Sequence, residues 1–111
     1  MKIIKRENLE MIKGTCGDIW EMGGADNMDV AFVNITNKFR PHLHKRTEEI
    51  YYILRGRGIV TIDKEQQEVQ KGDLIPISKN KLHTIEKISE KPLELLAITT
   101  PKYDPEDVIE K

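Results

Sequence analysis

The chain has 111 residues, 38% of them hydrophobic, which is enough for one core and too few for two ordinary domains, so residues 1–111 are expected to form a single domain. Eighteen Lys and Arg stand against 19 Asp and Glu, for a net charge of -1, so there is no bulk attraction to nucleic acid or to an anionic membrane. Apolar runs fall far short of the roughly 18 residues of a membrane span, no signal-peptide apolar region opens the chain, and Cys16 is the only cysteine, so a cytoplasmic protein without an intramolecular disulfide is expected.

In chain order, the first segment holds Ile3, Ile4, Leu9, Met11 and Ile12 with no clean period, which fits a short helix or an extra strand. Short runs rich in β-branched and aromatic residues then predict strands over 17–22, 30–36, 49–54, 58–63, 67–69, 74–77, 83–87 and 93–99. Turn chemistry separates them at Gly23-Gly24, Arg55-Gly56-Arg57-Gly58, Asp63-Lys64-Glu65, Lys71-Gly72-Asp73, Lys79-Asn80-Lys81 and Lys91-Pro92. The spacing is that of consecutive antiparallel hairpins in an all-β sandwich or barrel. Near the end, Asp104-Pro105-Glu106-Asp107 combines a helix N-cap, a Pro in the first helical position and acids at the positive end of the dipole, which predicts a short terminal helix turn.

His42 and His44 are two residues apart, so an extended segment sends both side chains to one face. Glu49 opens the apolar run Ile50-Tyr51-Tyr52-Ile53-Leu54, where a carboxylate calls for a buried cationic or metal partner. His83, the remaining histidine, begins another apolar segment after the Lys79-Asn80-Lys81 turn. Three histidines and a carboxylate suit Fe, Mn, Ni, Cu or Zn. The histidine pair alone also fits a solvated strand face.

The stretch from Pro41-His42-Leu43-His44 through Glu48-Glu49 to Arg55-Gly56-Arg57-Gly58 resembles the first motif of the cupin family: His, any residue, His, three or four residues, Glu, six residues, Gly. That spacing selects Glu49 as the acid, with Glu48 as its outward neighbour. Gly72-Asp73-Leu74-Ile75-Pro76, running on to His83, resembles the second motif, and 58–71 resembles the minimal hairpin between the two. Four features depart from the pattern: the usual Gly before the first motif is absent, Pro76 sits one residue early, Asn80 replaces a loop Gly, and Lys87 stands where Asn is usual. None touches a ligand position, and Asn tolerates the left-handed backbone that Gly would supply.

The resemblance implies a double-sheet jelly-roll barrel with its core over about 17–100. It also implies one divalent transition metal per chain held by His42, His44, Glu49 and His83, a small-molecule ligand inside the barrel, and a homodimer that often exchanges N-terminal strands. Alternation from Glu49 sends Tyr51 inward, as an acid/base group beside the metal or as a core tyrosine. Trp20 reads as a pocket wall or as core or interface packing. Lys38, Arg40, Lys45, Arg46, Lys79 and Lys81 read as an attractor for an anionic substrate or as solvated loop charge. Cys16 reads as a small buried hydrophobe.

Three functions stand side by side. One is a mononuclear metalloenzyme of dioxygenase, isomerase or decarboxylase type acting on a small polar metabolite. The second is a sugar- or effector-binding module without catalysis, and the third is a scaffold whose barrel has no ligand role. No helix-turn-helix segment accompanies the barrel, so direct binding to nucleic acid is not expected.

Overall fold

The computed structural model describes residues 1–14, 16–36, 38 and 40–110. Eleven strands run through them: β1 (Ile12–Lys13), β2 (Gly17–Ala25), β3 (Met28–Ile35), β4 (His42–His44), β5 (Glu48–Arg55), β6 (Arg57–Ile62), β7 (Glu65–Gln70), β8 (Leu74–Ile77), β9 (His83–Lys87), β10 (Leu93–Thr100) and β11 (Val108–Glu110). They form two antiparallel sheets, one ordered β1-β2-β3-β10-β5-β8 and the other β11-β4-β9-β6-β7. The fold is all-β, as the strand pattern predicts, and it is the double-sheet jelly roll that the resemblance implies. No helix among the described residues is long and apolar enough to cross a membrane.

The connectivity differs from a run of consecutive hairpins. Among the described residues, only β1-β2, β2-β3 and β6-β7 pair as sequence neighbours, whereas β5 pairs with β10 and β8, and β9 with β4 and β6. Short turns thus carry the chain from one sheet to the other. At Gly56 this crossing needs φ +84, and a Cβ there would lie 2.2 Å from the Pro92 carbonyl oxygen, so only glycine fits.

The β2-β3 turn also lies later than Gly23-Gly24. The register shifts between Glu21 and Gly23, and Gly23, with φ 76, absorbs a bulge that lets the strand continue to Ala25. Asp26 and Asn27 make the turn. The ambiguous N-terminal segment holds both elements considered, a 3-10 turn at Arg6–Asn8 and the short β1. The terminal helix turn is a 3-10 turn at Pro105–Asp107, where the Asp104 carboxylate accepts the Glu106 N–H at 3.0 Å. It reverses the chain into β11.

Side-chain alternation builds the interior. In β5, Glu49, Tyr51 and Ile53 are buried while Glu48, Tyr52 and Arg55 are exposed. Ile53, Ile85 and Leu93 are fully buried, each contributing about 1.5–3 kcal/mol of burial. Along the paired strands β10 and β3 the inward side chains then shrink, from Leu93 opposite Ile35, through Leu95 opposite Val33, to Ala97 opposite Ala31. The core is therefore solid at one end. The small residues leave a cavity of about 770 Å³ at the other, within the usual range for a small-molecule site.

Candidate metal centre

Three histidines come from one sheet and the carboxylate from the other. His42 and His44 flank the short β4, and His42 lies directly opposite His83 across the β4-β9 pair. Glu49 projects from β5, between Thr99 and Ile77 on its neighbouring strands. His44, His83 and Glu49 are all more than nine-tenths buried, and His42 is half-buried. One potential ligand atom from each of the four residues lies within 4.8 Å of all the others. Ligands 2.2 Å from a shared ion sit at most about 4.4 Å apart, so a small side-chain rotation closes the set.

The hydrogen bonding has a gap where an ion would sit. His83 Nδ1 lies 2.9 Å from the Lys81 carbonyl oxygen, which can only accept, so Nδ1 donates there and Nε2 is the ring nitrogen turned toward the ion site. That nitrogen faces Glu49 Oε1 at 3.2 Å, and His44 Nε2 lies 3.6 Å from the same oxygen. Among the described residues, His44 Nδ1 and Nε2, Glu49 Oε1 and His83 Nε2 are buried without a hydrogen-bond partner. Orphaned buried groups of this kind cost about 1–3 kcal/mol each, more for a charge. A cation among them removes the cost, so the residues present fit a divalent transition metal.

Electrostatics follow from the same crowding. Burial and the neighbouring His83 and His44 lower the His42 pKa to about 4, which keeps the ring neutral and its lone pair available. For Glu49, burial opposes ionisation, but the facing His44 and His83 rings outweigh it and bring the carboxyl to about 2. Burial pushes the Tyr51 phenol well above its ordinary range, and the Glu49 carboxylate adds to the effect. The phenol therefore holds its proton at neutral pH and can donate it in a hydrogen bond.

The other residues singled out from the sequence have distinct places. Tyr51 lines the cavity with His42, His44 and Glu49. Trp20 points to the outer face, edge-on to Phe32 with ring centroids 5.6 Å apart and the Arg6 guanidinium over both rings. Cys16 lines the cavity against the core, and burial raises its thiol pKa. Of the cations, Lys38, Arg46 and Lys81 form ion pairs with Glu86, Asp104 and Asp63, whereas Arg40 lines the cavity.

Two cavity residues lay outside the sequence argument. The Tyr103 ring sits 6.2 Å from that of His44, and the buried Thr99 hydroxyl has no hydrogen-bond partner among the described residues. The period-two run Leu93, Leu95, Ala97, Thr99 was the available signal for a wall that becomes smaller and then polar.

A cupin-domain family model matches residues 32–99, a span that contains all four candidate ligands. An uncharacterised protein of Methanocaldococcus jannaschii is 44% identical over 85 residues, covering 77% of this chain and 68% of its own. The crystal structure of a protein from Planctomyces limnophilus superposes with a TM-score of 0.86 at 23% identity, covering 97% of this chain and 95% of that one. The nucleoside dehydratase Pac13, from Streptomyces, superposes with a TM-score of 0.85 at 18% identity, covering 100% and 91%. Both superpositions concern the fold. With more than half its length in the family match, the chain belongs to the cupin-domain family.

Proposed function

We propose that the chain is a mononuclear metalloenzyme in which His42, His44, Glu49 and His83 hold one divalent Fe, Mn, Ni, Cu or Zn ion and the adjoining cavity takes a small polar metabolite. The observation that carries this reading is the buried facing of His83 Nε2 and Glu49 Oε1 at 3.2 Å, with the His83 proton held on the opposite nitrogen. When bound, the metal supplies Lewis-acid activation, and with a redox-active ion electron transfer. Dioxygenase, isomerase and decarboxylase chemistry all lie within that range.

The chain's own residues bind and orient. Ala31 and Ala97 form a smooth wall for the apolar part of a ligand. Thr99 offers a hydroxyl to its polar part, and Tyr51 presents a protonated phenol beside Glu49. Uridine bound to a Pac13 variant makes nucleosides one reasonable ligand class to try. The test is elemental analysis of the native protein together with thermal shift and turnover on sugars, dicarboxylates and uridine. One metal per chain and turnover support the enzyme; a metabolite that stabilises the protein and is recovered unchanged favours the binding module.

A homodimer belongs to the same proposal. Across the outer face of the larger sheet, Trp20, Phe32, Leu96, Tyr52 and Leu74 lie in register, an apolar row that a second copy would cover. Sedimentation equilibrium should return twice the 12.9 kDa chain mass; a single chain mass contradicts it. A cytoplasmic location is proposed on the unpaired Cys16.

A further inference from the structure

The turn between the two sheets of the metal centre is held by a residue outside the centre. β4 ends at His44 in one sheet and β5 begins at Glu48 in the other, so 45–47 set the separation of His44 and Glu49. Three successive backbone N–H groups of this turn donate to Asp107. Lys45 N–H reaches the Asp107 carbonyl oxygen at 3.2 Å. Arg46 N–H reaches the two carboxylate oxygens at 3.1 and 2.9 Å, and Thr47 N–H reaches Oδ2 at 3.1 Å. The Arg46 Nε adds a contact at 3.4 Å. The Asp107 side chain is almost fully buried, and these donors compensate the burial of its charge.

The strand that follows completes the hold. β4 has a single register position on β9, His42 opposite His83. On its other side β11 supplies three, with Val108 opposite His44, Ile109 opposite Leu43 and Glu110 opposite His42. Beyond these, β4 is tied by the Asn80 N–H to the His44 carbonyl oxygen at 2.7 Å. The ligand strand is therefore positioned mainly by the C-terminal segment that Asp107 fastens.

We propose that Asp107 is a positioning residue for the metal centre, fixing the 45–47 turn so that His44 and Glu49 converge on one ion from opposite sheets. This rests on the metal reading of the four ligands. Its effect passes through the backbone of Lys45, Arg46 and Thr47.

The test is titration of the full chain with Co(II), read by its visible ligand-field absorption, for wild type, Asp107→Asn, Asp107→Glu and Asp104→Asn. Asparagine replaces an accepting oxygen with an N–H₂ facing backbone N–H groups. The expected result is a dissociation constant at least tenfold weaker for Asp107→Asn, with a shifted absorption band and an unchanged far-ultraviolet circular dichroism spectrum. Asp107→Glu keeps the charge and the fold but lengthens the arm, and should weaken binding severalfold with a band shift of the same sense. Asp104→Asn removes the charge that pairs with the Arg46 guanidinium while leaving the backbone N–H groups of the turn on Asp107, and should change affinity less than threefold. A wild type that binds Co(II), with Asp107 variants that melt earlier yet keep its affinity and band, overturns the positioning role alone. An equal loss in Asp104→Asn also overturns it, since charge then explains the effect. A wild type that binds no Co(II) overturns the metal reading and this proposal with it.

Discussion

His83 and Glu49 face each other across the two sheets with Nε2 and Oε1 3.2 Å apart, while the Lys81 carbonyl holds the other ring nitrogen at 2.9 Å. In the metal-free protein the facing histidine rings outweigh burial and bring the Glu49 carboxyl to about 2, so its ionised form contributes to folding at neutral pH. Glu49→Gln should therefore lower the melting temperature of chelator-treated protein, by about 1–3 kcal/mol of lost stability, and abolish the upward shift that Zn(II) produces in wild type. A variant that melts higher without metal would contradict the argument.

Acid should destabilise the metal-free protein in a defined window. The folded-state pKa of His42 is lowered from 6.5 to about 4, so between these values the unfolded chain binds the proton that the folded chain refuses. Stability falls as pH drops from about 6.5 toward 4. Glu49, lowered from 4.5 to about 2, extends the loss below 4.5 by the same sign. Thermal melts in chelator from pH 7 to pH 4 should show a continuous decline, on the order of 1–2 kcal/mol after solvent screening. A flat profile would mean that His42 protonates freely and is not held in the cluster.

Glycine substitutions separate conformation from crowding. Gly56 combines φ +84 with a Cβ position 2.2 Å from the Pro92 carbonyl oxygen, whereas Gly72, at φ +93, has no neighbour within 4 Å. Gly56→Ala should cost about 3 kcal/mol or more, from backbone strain plus displaced main chain. Gly72→Ala should cost roughly 1 kcal/mol from conformation alone. Urea unfolding of both variants measures the difference, and equal costs would contradict the crossing geometry assigned to Gly56.

These positions also show what could be read in the sequence. Alternation over Glu49, Tyr51 and Ile53 announced an inward face because β5 is long enough to show a period, and the four ligand candidates were named from residue type and motif spacing. β4 and β11 are three residues each, too short for any period, and they exist because they pair with each other. Asp107 appeared only as an acid favourable to a helix dipole, since its donors lie about 60 residues earlier in the chain. The crossing of strands between sheets was also hidden, because turn residues mark where a chain bends and not which strand it next meets.

The cavity makes a separate prediction. Ala97 lies between Ala31 and Tyr51 on the neighbouring strands, all facing the cavity. Ala97→Leu fills open space, so stability should change by less than about 1.5 kcal/mol, and metal content should stay at the wild-type level. Thermal shifts by any metabolite that stabilises wild type should disappear. Retained shifts would place the ligand outside this cavity.

The central claim is that one ion joins the two sheets through four named side chains. The most direct measurement is anomalous difference density, collected at the absorption edge of the element found in the purified protein. The account predicts a single strong peak per chain, about 2.0–2.2 Å from nitrogens of His42, His44 and His83 and an oxygen of Glu49. Density at any other position, or none in crystals of fully metal-loaded protein, would contradict it.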